Sequence, residues 1–194
     1  MKKISILASI LVVLLLTLTG CSKEVSERQW DKAFLEASFK NCQLVITDDT
    51  TEEVKMISYA NKTIHLNKGF YNTNLQFIST TERYYHTDEL GNLWQYWYDN
   101  FENKWYRGKT TIENPEVKLT SLLNEFAGKY QSYEYNKNDN AFKRIVGNNM
   151  TIVTFNKNKV SKIEKITNYN SSNSTSVIYE FSNYGATSLT LPTI

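Results

Sequence analysis

The sequence predicts an α+β domain: a large curved antiparallel sheet with two amphipathic helices on its concave side. Three observations carry this. Residues 41–109 alternate apolar and polar positions with period two, broken by clusters of turn-forming residues. Two segments, around Trp30 and around Leu122, instead space their apolar residues at helical intervals. After the second of these, period two resumes and runs almost to the end, and the short connections between strands favour antiparallel pairing.

The chain opens with Lys2 and Lys3, then an apolar run from Ile4 to Leu18 broken only by Ser5, Ser9 and Thr17, then Thr19 and Gly20 before Cys21. That is the three-part layout of a secretory signal. The run is short for a helix that must cross a bilayer core, which needs ~20 residues. The stretch "LTGC", with Leu18 three positions ahead of the cysteine, resembles the lipobox of bacterial lipoproteins. The resemblance implies that the Cys21 thiol receives a diacylglyceryl group, that the chain is cut before it, and that the protein is lipid-anchored at the extracytoplasmic face of the cell membrane. Two acyl chains hold a protein stably where one does so marginally. The expected organisation is residues 1–20 as signal peptide, 21–25 as lipidated tether and 26–194 as one domain.

Of 22 Lys and Arg, the signal removes two and leaves as many basic as acidic residues, 20 of each. No general affinity for nucleic acid follows from such a balance. From Lys129 onward the charges are mainly basic, but they are scattered among polar residues as on a solvated surface.

Ser26 with Gln29 three positions later forms a capping box, and Trp30, Ala33, Phe34 and Ala37 follow at helical spacing, predicting a helix of about twelve residues. Strands are expected at 42–48, 53–60, 63–67, 74–87, 92–99 and 103–109. The second helix is announced by "ENPEVKLTSLLNEFAGKY", where Asn114 caps, Pro115 takes the first helical position and Leu119, Leu122, Leu123, Phe126 and Tyr130 make one stripe. Further strands are read in "AFKRIVG", "MTIVTFN", "KVSKIEKITNYN", "TSVIYEFSNYG" and "TSLTLP".

The closing segment, with Val160, Ile163, Tyr179, Phe181, Tyr184, Gly185 and Pro192, resembles that of the LolA/LppX-like lipoprotein carriers. The resemblance implies an incomplete β-barrel closed on its open side by helices, with a lipid or other apolar ligand on the concave side. The second helix, with Leu122, Leu123 and Phe126, is then the lid candidate, and Leu119 joins these three as ligand-binding residues. A cystatin-like or NTF2-like cone is the alternative architecture, since it too sets a helix before a curved meander.

The other chemistry-bearing residues have structural readings. Cys42 shares a strand face with Leu44 and Ile46 and reads as a buried small hydrophobe. His65 and His86 have polar flanks and no ligand spacing, so they read as exposed or cross-strand histidines; no metal or cofactor is expected. Asp48, Asp49, Glu52 and Glu53 make a solvated turn and lack the spacing of a calcium loop. No catalytic motif is present, and the expectation is a protein that is not an enzyme. The segment "LWQYWYDNFENKWYRG" places Trp94, Tyr96 and Tyr98 on one strand face and Leu93 and Trp97 on the other, with Trp105 and Tyr106 on the next strand. Trp94, Tyr96 and Trp97 are therefore candidate binding residues besides their role in packing. Two functions fit: a membrane-anchored lipoprotein that binds or carries an apolar ligand, or an interaction module that offers the aromatic hairpin to a cell-wall glycan or an envelope protein.

Overall fold

The computed structural model describes residues 25–194; the signal segment and Cys21 lie outside them. A single antiparallel sheet of eleven strands dominates the chain. Helix α1 (Glu27–Ala33) precedes β1 (Asn41–Asp48), β2 (Glu53–Ala60), β3 (Thr63–Tyr71), β4 (Phe77–Thr87), β5 (Leu93–Asp99) and β6 (Lys104–Thr110). Helix α2 (Thr120–Asn124) then leads to β7 (Glu134–Asn136), β8 (Ala141–Val146), β9 (Asn149–Asn156), β10 (Lys159–Thr167) and β11 (Thr175–Ser182). The strand order is β6-β5-β4-β3-β2-β1-β11-β10-β9-β8-β7. The first meander thus runs outward from the centre, the second runs inward, and β1 against β11 joins them. Outer strands β6 and β7 do not pair, so the sheet stays open, as an incomplete barrel does.

Alternation decides which side chains go inside. Cys42 and Leu44 face the same side as their partners Tyr59 and Ile57, and through β3 this face continues to Ile64, Leu66 and Tyr85. In the second meander Phe181, Ile163, Val153 and Phe142 share it. Both helices cover this face, and Trp30 is the centre of the packing. Its ring, fully buried, lies about 5 Å from Phe34, Tyr133 and Phe142, and its indole N–H donates to the Phe126 carbonyl at 2.9 Å. Phe34 stacks on Phe126 with centroids 4.9 Å apart. Each such ring contributes roughly 1.5–3 kcal/mol through burial.

The Ser26–Gln29 capping box forms as the sequence predicts. Helix α1, however, stops at Ala33, and Leu35 turns extended (φ −70°, ψ 136°) before a 3-10 turn over Glu36–Phe39. Phe39 explains the break. Five residues beyond Phe34, it would point about 140° off the stripe of a continuous helix; the extended Leu35 returns it to the core, where it is buried, and leaves Ala37 exposed.

The second helix is likewise shorter than the stripe suggests. Asn114 accepts the Glu116 N–H at 3.0 Å and Pro115 opens a turn, but that turn is a 3-10 piece over Pro115–Val117, ended by an extended Lys118. Only Thr120–Asn124 is α-helical, and Gly128 at φ +66° ends the helical run. Thr120, Ser121 and Asn124 are weak helix formers, so tertiary contacts set the path. "TSLTLP" forms no strand. Instead the Asn41 side chain donates from Nδ2 to the Thr187 carbonyl and accepts the Thr187 N–H, at 2.9 and 2.8 Å, doing for this segment what a ladder would.

Candidate functional site

Between β6 and α2 the chain crosses the helix-covered face as a strap, residues 111–119. Side-chain hydrogen bonds from the sheet hold it down. Tyr59 of β2 donates its hydroxyl to the Val117 carbonyl at 2.9 Å, and Asn114 donates from Nδ2 to the Tyr85 hydroxyl of β4 at 2.6 Å. Glu116 is the ionic anchor, 2.5 Å from the Lys68 ammonium and 3.5 Å from that of Lys55. Partial burial pushes the Glu116 carboxyl up, but the Lys68 hydrogen bond and both ammonium charges outweigh it and hold it below the ordinary carboxylate range.

Beside the strap lies a cleft of about 480 Å3, within the ~300–1,000 Å3 of ligand pockets. Tyr59, Ile64, Tyr85 and Leu93 contribute from four successive strands, Phe39 from the 3-10 turn, and Val117 and Leu119 from the strap. Because the polar tips of Tyr59 and Tyr85 are used on the strap, their rings add apolar surface. Lys40, Lys62, Lys118, Glu36 and Glu113 are exposed members of the lining and mark the opening to solvent. Lys118 and Glu113 pair with each other. The arrangement suits a molecule with an apolar body and a polar end.

The residues expected at a ligand site are divided. Leu119 lines the cleft. Leu122, Leu123 and Phe126 are buried in the core against α1 and the sheet, so they support the cleft without lining it. Sequence reading missed Phe39, Tyr59, Ile64, Tyr85 and Val117. The period-two alternation puts Tyr59, Ile64 and Tyr85 on one face, but nothing in it says where the strap leaves that face uncovered.

On the opposite face, which no helix among the described residues covers, the aromatic hairpin joins β3 and β4. Trp94 pairs with His86, and Tyr96 with Tyr84. His65 stacks on Tyr84 at 4.2 Å, and Trp105 lies within 5.5 Å of both Tyr84 and Tyr98. Asp88 accepts the Trp94 indole N–H at 3.0 Å, and Arg107 lies over the ring at 5.3 Å. The bonds from Trp94 and Asn92 hold the Asp88 carboxyl well below the usual range. Tyr96 is buried among its neighbours, while Trp97 projects from the other face, 37% exposed, stacked on Tyr106.

His65 bonds to Glu82 at 2.9 Å and His86 to Thr63 at 2.9 Å, both across strands. Cys42 is buried, and desolvation pushes its thiol up to about 12. Among the described residues, no group of three or more His, Cys, Asp or Glu gathers to hold a metal, and no helix is long and apolar enough to cross a membrane. No protein-family model, curated protein or solved structure matches this chain.

Proposed function

We propose that this chain is a membrane-anchored, extracytoplasmic lipoprotein of LolA/LppX-like architecture, not an enzyme, that binds a lipid or similar apolar ligand in the cleft beside the strap. The observation that carries the reading is the cleft itself: apolar side chains from four strands, a 3-10 turn and a multiply anchored strap, opening past charged residues. Burial of a ligand there at ~25 cal/mol per Å2 of apolar surface supplies affinity. Cys21 supplies the anchor, and its place directly after a short apolar run supports that assignment.

Native mass spectrometry with organic extraction, on protein purified from an envelope fraction, tests the reading. A lipid at near-stoichiometric amount is expected, and Ile64→Glu combined with Leu119→Glu should remove it while circular dichroism stays unchanged. A folded protein that is empty under lipid-rich conditions overturns the carrier role. A second reading, a glycan- or protein-binding module, is favoured by one observation: the ring set around Tyr84, Trp94 and Trp105 lies on the uncovered face with Asp88 and Arg107 beside it.

A further inference from the structure

The strands of an antiparallel meander divide their turns between two ends, and here the two ends differ. One end holds the start of β1, the β2–β3 turn, the β4–β5 turn, the end of β6 and the β9–β10 turn, as the register requires. We propose that this end is a membrane-docking face that rests on the headgroups of an anionic bilayer, so that the cleft opens onto lipid. The inference deepens the carrier reading and rests on its lipid anchor.

Three observations converge on this end. The first is the tether. Helix α1 starts here, because Gln29 donates from Nε2 to Asn158 in the β9–β10 turn at 3.1 Å. Val25, just before the cap, is already buried in the core. From Cys21 to Val25 the chain reaches at most ~14 Å, so an anchored Cys21 keeps this end close to the bilayer.

The second is the cleft. Lys40, Asn61, Lys62 and Thr87, which border it, all belong to the strand ends and turns on this side. Close by, Leu90 in the β4–β5 turn is 88% exposed and Ile112, two residues past β6, is 76% exposed. Glu89 and Glu113 adjoin them in sequence, while Lys40 and Lys62 stand at the neighbouring strand ends; apolar tips with lysines nearby suit an interface between headgroups and acyl chains.

The third is charge. Turns and strand ends on this side bring Lys40, Lys62, Lys137, Lys157 and Lys159. Opposing them are Asp88, engaged by Trp94, Asp139, paired with Lys143, Glu113, paired with Lys118, and also Glu36 and Glu89, so the basic groups keep a small excess. At the far end the turns carry Asp48, Asp49, Glu52, Asp99 and Glu102, with Lys104 bound to Glu102. Strand β1 sets the two ends ~26 Å apart. That exceeds a Debye length of about 8 Å, so an anionic surface attracts the basic end without repelling the acidic one. The far end exposes more apolar side chains, among them Phe70, Tyr71, Leu75, Phe101 and Val146, but it carries the acidic turns, and neither the tether nor the cleft is there.

The test uses the full lipid-bearing chain in vesicles of phosphatidylcholine and phosphatidylglycerol containing a nitroxide-labelled lipid. Single fluorophores are placed at Leu90→Cys, Ile112→Cys, Leu75→Cys and Phe101→Cys. Quenching at positions 90 and 112 and none at 75 and 101 is expected. Lys40→Glu with Lys62→Glu and Lys157→Glu should relieve that quenching while the anchored protein still floats with the vesicles. A floating, lipid-bearing chain with no quenching at 90 and 112, or with quenching at 75 and 101, overturns the docking face and leaves the tether reading standing. A chain without diacylglyceryl that still floats and is quenched at 90 and 112 overturns the tether reading and leaves the docking face.

Discussion

At the scale of single residues, Gly69 is the described glycine with least room for a side chain. It sits at the irregularity between Lys68 and Gly69 in the β3–β4 pairing, and a Cβ there would lie 1.9 Å from the Ile78 carbonyl oxygen. Gly69→Ala should therefore lower the unfolding free energy by about 3 kcal/mol, at the upper end of overpacking costs, as measured by urea denaturation. Cys42 makes a different prediction. Its folded pKa is raised to about 12 and the unfolded thiol ionises near 8.5, so its contribution to stability is complete below that value and is lost as pH rises toward 12. Native protein should resist iodoacetamide at pH 8 and react once unfolded; rapid native labelling would show that the thiol is accessible. Asp88 has the opposite sign. Its depressed pKa gives stability above about 3.9 that is lost as pH falls, and Asp88→Asn should flatten the acid limb of a melting-temperature profile.

At the scale of elements, the strap is the part whose removal should separate binding from folding. Glu116→Ala leaves the Lys55 and Lys68 ammonium groups half-buried without their shared carboxylate, and a loss of about 1–2 kcal/mol in stability is expected by denaturant titration. Tyr59→Phe, which removes only the hydroxyl bond to Val117, should cost about 1 kcal/mol and weaken any ligand held beside the strap. Strands were the legible elements: β1 and β2 fall within a residue of their predicted limits, because alternation and turn chemistry act locally. Helices were legible as apolar stripes but not as lengths. Phe39 and Val117 are drawn into the core by contacts far away in sequence, and these contacts break the regular helix that periodicity alone would extend. The cleft was less legible still. Leu119 stands in the lining at a position the apolar stripe marks, whereas Tyr59 and Tyr85 reach the cleft through register and through their bonds to the strap.

At the scale of the whole molecule, the helix-covered face and the bare face do different work. Trp30→Ala should cost about 3–5 kcal/mol, because the covered face closes around that ring and the Phe126 carbonyl would keep only the Lys129 N–H as donor. Substitution on the bare face, for example Trp105→Ala, should cost less, and comparing the two melting temperatures checks this ordering. The meeting of β1 with β11 has a kinetic meaning as well. Paired on one side with Ser58 of β2, Gln43 finds its partner on the other side only in Ser182, so the first meander waits with one long flank unpaired until nearly the whole chain is present. Loop closure over such a distance is slow and leaves strand edges exposed meanwhile. A chain emerging N-terminus first thus passes through a stage at which two half-sheets coexist, and a stop before Thr175 would leave β1 and β10 as sticky, unmatched borders.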